Sequence, residues 1–461
     1  MTSLNPAEFS PPQALEPFCS HVLVIGGGAS GALMALHLLK ADPSIRVSVI
    51  EKREILGCGI AYATSDPGHL LNTRVHNMSA FNEEPDHFQK WLQATGRAPG
   101  ATPDSFVGRR VYGRYLTDLI ETEDEQSGRM RCVRGECLRL EEIGGAVIAH
   151  LDDGSCIRGD RAILATGHAV PAQMPEGLAD AWDFTLPEDP AAEVVIIGTG
   201  LSMVDHVISL LRNGHRGPIT CSSRRGLLPQ VHADGHAQPV SRGEVPLGAS
   251  AGAAMRWLRG LARQAEQAGG SWRDAVDGIR PHVSAIWRAW PEAERRRFLR
   301  HAASFWEVHR HRLPPESGRW LADARARGQL RVLRGRFQGA EAAPGHTCIR
   351  IGTAGGPVTL RAARAIDCRG IRRDPERDSA PVVRDLLARG ACRLDALRLG
   401  IDTDLQCRVL MRDGRASRRI LAIGPCARGA SWEITAIPDI RVQCAQLAAQ
   451  IATESAAPAR G

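Results

Sequence analysis

Short apolar runs alternate with glycine-marked turns and stretches of helical spacing, the order expected of an α/β chain with parallel strands. The first run, His21 to Ile25, enters Gly26-Gly27-Gly28-Ala29-Ser30-Gly31, then an apolar stretch to Leu39 that predicts a helix, then a strand from Val47 to Ile50 ending on Glu51. From Leu56 to Asn72 Gly and Pro recur every few residues and no apolar period survives, which predicts a loop. Pro85 to Leu92 and Arg109 to Ile120 carry helical spacing; Cys137 to Leu140 and Ala146 to Leu151 read as strands before a turn at Asp152 to Gly154. A buried strand at Arg161 to Leu164 ends in Ala165-Thr166-Gly167. The opening order then repeats: strand Val194 to Ile197, Gly198-Thr199-Gly200-Leu201-Ser202-Met203, a helix, and a strand from Pro218 to Ser222. Helical spacing dominates Ala251 to Gln329. Strands follow at Leu330 to Phe337, Thr347 to Ile351 and Ala365 to Cys368, and a last buried strand at Arg419 to Ile423 opens into Gly424-Pro425, with a helix from about Asp439 to Ile451.

Two strand–glycine turn–helix–strand units in one chain predict an α/β fold with two Rossmann-like dinucleotide-binding domains and a helical insertion. The expected boundaries are a disordered leader at 1–20, the first domain at 21–185, the second at 190–345 with its insertion at about 251–329, a return to the first domain at 346–450, and a disordered tail at 451–461.

Composition narrows the classes. The 461 residues are 43% hydrophobic and 24% charged, ordinary for a globular chain. A net charge of +7 is small for that length, and no aromatic platform is interleaved with a basic stripe, so nucleic acid is not an expected partner. Val22 to Leu39 would trip a hydropathy window, but its four glycines make it strand plus helix rather than a membrane span. Met1 to Ser20 has neither the basic start nor the apolar core of a secretory signal, and a cytoplasmic protein is expected. The twelve cysteines are scattered, with no CxxC pair and no Cys/His ligand spacing. That pattern predicts free thiols and no metal, and argues against a dithiol–disulfide reductase.

The candidate chemistry lies in the turns. Gly26 would permit the tight turn, Gly28 the approach of a pyrophosphate and Gly31 close helix packing, with Ser30 in the first helical turn, while Glu51 would accept from a ribose diol. In the second unit Gly198, Gly200, Leu201 and Ser202 occupy the equivalent turn, but Met203 replaces the third glycine. No acid closes that unit. Arg224 and Arg225 follow its second strand instead, donors suited to a 2′-phosphate, so NADPH is expected over NADH. Thr166, Gly167, Gly424 and the stretch Glu433, Ile434, Thr435, Ala436 would complete a flavin site with backbone N–H groups. Candidates near the chemistry are Asn72 and Ser79, in the loop that could face a flavin ring, and His309 at the insertion's edge. His309 and His311, two apart, diverge on a helix and do not make a metal pair. The insertion's Trp257, Trp272, Trp287, Trp290, Trp306 and Trp320 read as core.

Together these residues resemble the family of FAD/NAD(P)-binding proteins whose N-terminal domain is shared with FAD-dependent urate hydroxylase and with an aspartate-N-oxidising flavin monooxygenase. The resemblance runs from His21 to about Ala448. It rests on Gly26 to Gly31, Ala61-Tyr62 with Asp66-Pro67-Gly68-His69-Leu70-Leu71-Asn72, Gly198 to Asp205, His309-Arg310-His311, and most specifically Trp432-Glu433-Ile434-Thr435-Ala436-Ile437-Pro438-Asp439-Ile440-Arg441. It implies FAD in the first domain and NAD(P)H in the second. One departure is Pro425, where many flavoproteins place an Asp that holds a ribityl hydroxyl; the contact must come from elsewhere, with backbone near Glu433 to Ala436 the candidate. The expected function is a single-component flavin monooxygenase that uses NADPH and O2 to hydroxylate a small polar substrate, a urate-like purine being the first guess. The alternatives are an amino-acid N-hydroxylase, a flavin reductase passing electrons to quinone or protein, and a non-catalytic FAD-binding redox sensor.

Overall fold

The computed structural model describes residues 20–170, 173–235, 237–370 and 374–456; the expected leader at 1–20 lies outside these except for Ser20, which is buried in the first strand, and the tail beyond Ala456 lies outside them. Two sheets organise the chain. The first has the strand order Arg408–Leu410, Ala416–Ala422, Arg161–Leu164, Ser20–Ile25, Ile45–Glu51, Met130–Arg134. Every pairing in it is parallel except that between Arg408–Leu410 and Ala416–Ala422. Val22, Leu23 and Val24 are fully buried because both faces are covered, which is why the strand reads as a continuous apolar run. Helices Ala29–Ala41, Arg109–Ser127 and Ile437–Ala456 cover one face. The antiparallel strands Cys137–Ile143, Ala146–Leu151 and Cys156–Gly159, with helix Pro381–Arg389, cover the other.

The second sheet is parallel throughout: Leu330–Arg334, Ile219–Ser223, Val194–Ile197, Arg364–Asp367, Ala179–Asp180. Helices Leu201–Arg212 and Pro315–Ala326 pack on one face, and the antiparallel strands Arg336–Ala343, His346–Thr353 and Gly356–Ala362 on the other.

Pairing and packing move three expected boundaries. Residues 346–367 belong with the second unit rather than the returning segment, because Arg364–Asp367 pairs with Val194–Ile197 and the antiparallel strands before it cover that sheet. Helix Pro315–Ala326 likewise leaves the insertion, since Leu321 and Ala324 pack with Met203 and Val207. The C-terminal helix also runs through 451–456, residues expected in the tail, because Ile451 is still fully buried in the first core. The insertion proper is the set Ala251–Gln267, Trp272–Gly278, Val283–Ala289, Glu292–His301 and Ala303–Arg310. Trp287 is its centre: the ring stacks on Trp432 of the returning segment at 5.0 Å and its Nε1–H donates to the Gly429 carbonyl at 2.9 Å. The insertion is thereby fastened over the end of the first sheet.

Candidate functional site

Parallel strands deliver their following loops to one end of a sheet, and in the first unit three such loops converge. Gly26 has φ of 105°, and a Cβ there would sit 2.6 Å from the Ala165 carbonyl oxygen; a Cβ on Gly31 would fall 1.8 Å from that of Gly26. The turn and the close helix packing therefore require glycine at both positions. Helix Ala29–Ala41 begins after Gly28 with no side-chain cap, whereas Ser250 and Ser271 cap the helices that follow them. Its first N–H groups are left for an anion. Glu51 lies against the turn, accepting from Gly27 N–H at 2.7 Å on one oxygen and Arg53 N–H at 2.9 Å on the other, and each oxygen keeps a lone pair for a ribose hydroxyl. Gly424, at φ of 65°, brings the late loop onto the helix start: a Cβ there would be 2.6 Å from Ser30 Oγ. Thr166 and Gly167 lead out of Arg161–Leu164, whose Leu164 carbonyl accepts from Ile423 N–H at 3.0 Å. Gly26, Gly28, Ser30, Gly31, Thr166, Gly167 and Gly424 thus stand at one end of one sheet.

The second unit repeats the turn. Gly198 has φ of 123°, and a Cβ would lie 2.1 Å from the Cys368 carbonyl oxygen. Gly200 precedes an uncapped helix, and a Cβ on it would meet nothing within 4 Å, so the space before this helix is open. Leu201 and Ser202 form its half-buried first turn, and Met203 is wholly buried between helix and sheet. The two arginines differ. Arg224 is exposed with no partner among the described residues, while Arg225 donates to the carbonyls of Arg300 at 3.3 Å and His301 at 3.1 Å and lies 4.8 Å over the Phe305 ring. Arg225 ties the unit to the insertion, which leaves Arg224 as the donor available to a 2′-phosphate.

Where the insertion meets the start of the C-terminal helix, charged side chains are gathered out of water. Glu433 is buried; its Oε1 accepts from Trp306 Nε1–H at 2.7 Å, and its Oε2 lies 3.5 Å from Arg310 Nε and 3.9 Å from His311 Nε2. Asp439 pairs with Arg280 at 2.9 Å and approaches Arg310 Nη2 at 3.9 Å. Arg441 donates to the Ser79 carbonyl at 2.8 Å. Arg310 Nε and Nη2, Glu433 Oε2, Arg441 Nε and Tyr112 Oη are buried atoms without a hydrogen-bond partner. Burial pushes the Glu433 carboxyl up, but His311, Arg310 and the Trp306 N–H outweigh it and hold it below the usual range. Burial pulls His311 down to about 4, so it is neutral near pH 7. Three arginines then face two carboxylates, an excess of positive charge with unused donors.

The other candidates fall elsewhere. Ser79 Oγ is engaged by the Phe81 and Glu84 carbonyls at 3.0 and 2.6 Å. Asn72 offers its carbonyl to His232 Nε2 at 3.0 Å. His309 hydrogen-bonds the Phe305 carbonyl at 2.7 Å and packs edge-on against Trp272. Its neighbour His311 reaches Glu433 instead, because helix Ala303–Arg310 ends one residue earlier and the backbone turns there. Arg310 and Arg441 lie in two of the motifs that carry the resemblance, though neither is a site candidate there, and Arg280 has no signal of its own in an arginine-rich sequence. Among the described residues no cluster of His, Cys, Asp and Glu suits a metal, and no helix is long and apolar enough to cross a membrane.

The fold, with its two dinucleotide units, is like that of solved FAD- and NADP-binding flavoproteins. A family model described as FAD-NAD(P)-binding matches residues 23–169. The ornithine N-hydroxylase of Kutzneria sp. 744, solved with reduced FAD, NADP+ and L-ornithine, has a TM-score of 0.65 at 15% identity, covering 94% of this chain and 99% of that one. L-lysine 6-monooxygenase from Pseudomonas syringae gives 0.64 at 14% identity, over 95% and 100%. At these identities the likeness is one of fold. Among curated sequences, a 3-dehydro-bile acid delta(4,6)-reductase from Clostridium scindens is 26% identical over 160 residues; the match spans 31% of this chain and 38% of that protein.

Proposed function

We propose that the chain is an FAD-dependent, NADPH-using monooxygenase that converts the amine of a small amino acid to a hydroxylamine. The observation that carries this reading is the buried cluster of Glu433, Arg310 and Arg441, whose donors and acceptor are ion-paired in part but left without hydrogen bonds. A buried polar group left without a hydrogen bond costs about 1–3 kcal/mol, so several in one place are best explained by a ligand that completes them. FAD, when bound, supplies the passage of two electrons from NADPH to oxygen, for the balance R–NH2 + O2 + NADPH + H+ → R–NHOH + NADP+ + H2O.

The chain's own residues then bind, orient and keep dry. The arginine excess suits a carboxylate, which Arg310 and Arg441 would hold by charge-assisted hydrogen bonds. Glu433 Oε2, ionised and held by ion pairs with Arg310 at 3.5 Å and His311 at 3.9 Å but by no hydrogen bond, is the acceptor for the proton that an ammonium must lose before its nitrogen can react. The tryptophans around Trp287 and Trp306 exclude water from that side. An amine is preferred to a purine because the solved structures of like fold are named for ornithine and lysine; nothing in the comparisons favours urate.

NADPH consumption, oxygen uptake and hydroxylamine formation, measured together over a panel of ornithine, lysine, aspartate and urate, test the reading. We expect one amino acid to couple all three, and Glu433→Gln to lower kcat by about 10²–10⁴ while FAD stays bound. Turnover of urate alone would contradict it. Oxygen-independent reduction is the second reading, favoured by the reductase to which 31% of this chain is similar. It predicts oxygen uptake that does not follow substrate.

A further inference from the structure

The segment Asp66-Pro67-Gly68-His69-Leu70 lies along the second glycine helix, Leu201–Arg212, where it meets Ser209 and Arg212. We propose that this turn and Arg109 clamp the second dinucleotide unit at one angle on the first, making Asp66, His69, Arg109, Asp205 and Ser209 positioning residues for electron transfer between the two nucleotides, an inference that rests on the two-nucleotide reading above.

The hydrogen bonds close into a ring with every proton assigned. Ser209 Oγ–H donates to Asp66 Oδ2, so its lone pair accepts from His69 Nε2–H at 2.8 Å. His69 Nδ1 is then the acceptor for Thr64 Oγ–H at 2.7 Å, and Thr64 Oγ accepts Asp66 N–H at 3.2 Å. Asp66 Oδ1 takes the Gly68 N–H at 2.7 Å, folding the turn flat against the helix. A Cβ on Gly68 would lie 2.6 Å from Arg212 Cδ, so only glycine lets the turn come this close. The His69 ring packs on Phe184 at 4.5 Å, and Phe184 stacks on His206 of the same helix at 4.4 Å.

A second anchor sits one helical turn away. Arg109 donates Nε–H to the Leu70 carbonyl at 3.1 Å and grips Asp205 with both terminal nitrogens, at 2.7 and 3.1 Å. Asp205 and Ser209, four residues apart, share one helix face, and both are buried. The two anchors hold this face while Gly200, at the helix start, looks into open space. Domains joined by an ordinary polar interface move relative to one another by default. A buried seam with its donors matched and a bidentate ion pair opposes that motion, and it fixes the approach of anything seated on Gly200 to the first unit.

The test uses full-length, FAD-loaded protein and the variants Ser209→Ala, His69→Gln and the neutral pair Arg109→Gln/Asp205→Asn. Amide hydrogen exchange is followed over 64–71 and 201–212, and flavin reduction is timed anaerobically at saturating NADPH. We expect exchange protection in both segments to fall about tenfold or more. The reduction rate should drop by up to about 100-fold, as small misplacements do, with FAD content and NADPH Kd held within about twofold. Normal exchange, or lost protection with a normal rate, in Ser209→Ala and His69→Gln would overturn the clamp, and these two keep the test open should the ion-pair variant fail to fold. A wild-type protein that retains no FAD would sink the two-nucleotide reading instead, and the exchange arm would still decide the seam.

Discussion

Arg224 and Arg225 are adjacent, but one is solvated and the other is fastened to the insertion. A charge-assisted hydrogen bond to a phosphate is worth about 1.5–3 kcal/mol, so Arg224→Ala should raise the KM for NADPH by about 10–100-fold and leave that for NADH nearly unchanged. Arg225→Ala should act on both alike, through the insertion; steady-state KM values for the two nucleotides check this, and equal effects of Arg224→Ala would contradict it. Residue roles of this kind were only half legible in the sequence. Two arginines after a strand signal a phosphate, but which one is free depends on Arg300 and His301, some 75 residues on. His309 is a candidate in the sequence for its place at the insertion's edge, yet it is His311 that faces Glu433, because the helix ends at Arg310 between them.

Among elements, the two glycine turns differ in what they tolerate. Gly31→Ala would drive a methyl into the Gly26 carbonyl, and we expect it to abolish FAD retention or folding, read from bound flavin absorbance and near-UV circular dichroism. Gly200→Ala meets open space at an ordinary φ, so the fold and bound FAD should survive while NADPH binding weakens. Loss of FAD from Gly200→Ala would contradict the assignment of the two turns. Both turns were legible because strand, turn and helix are contiguous and the pattern is local. The clamp was not: Asp66 and Ser209 are 143 residues apart, and Arg109 and Asp205 are 96 apart, so the loop's Gly and Pro showed a turn and nothing of its partner. The return from the second unit was misplaced for the same reason, since Arg364–Asp367 looks like any buried strand until it pairs with Val194–Ile197.

Across the molecule several histidines, His206 buried and His168, His232 and His311 half-buried, are held neutral near pH 7. Burial pulls His206, His232 and His311 down to about 4 and His168 to about 3. The unfolded chain, with histidine near 6.5, therefore binds more protons than the folded one as pH falls below that value. Their contribution is complete above about pH 6.5 and is lost progressively toward pH 4, at up to about 1.4 kcal/mol per pH unit for each histidine. Urea midpoints should fall from neutral pH to about pH 5, and a midpoint that stays level or rises would contradict this. The same architecture carries the functional claim, for the two units share one chain, a matched polar seam and an insertion stacked onto the returning segment. The measurement that tests it most directly is anaerobic mixing of the purified protein with NADPH while the flavin absorbance is followed. The structure predicts bound FAD that bleaches with NADPH, and more slowly with NADH at equal concentration; a protein that holds no flavin, or holds flavin that NADPH leaves oxidised, would contradict it.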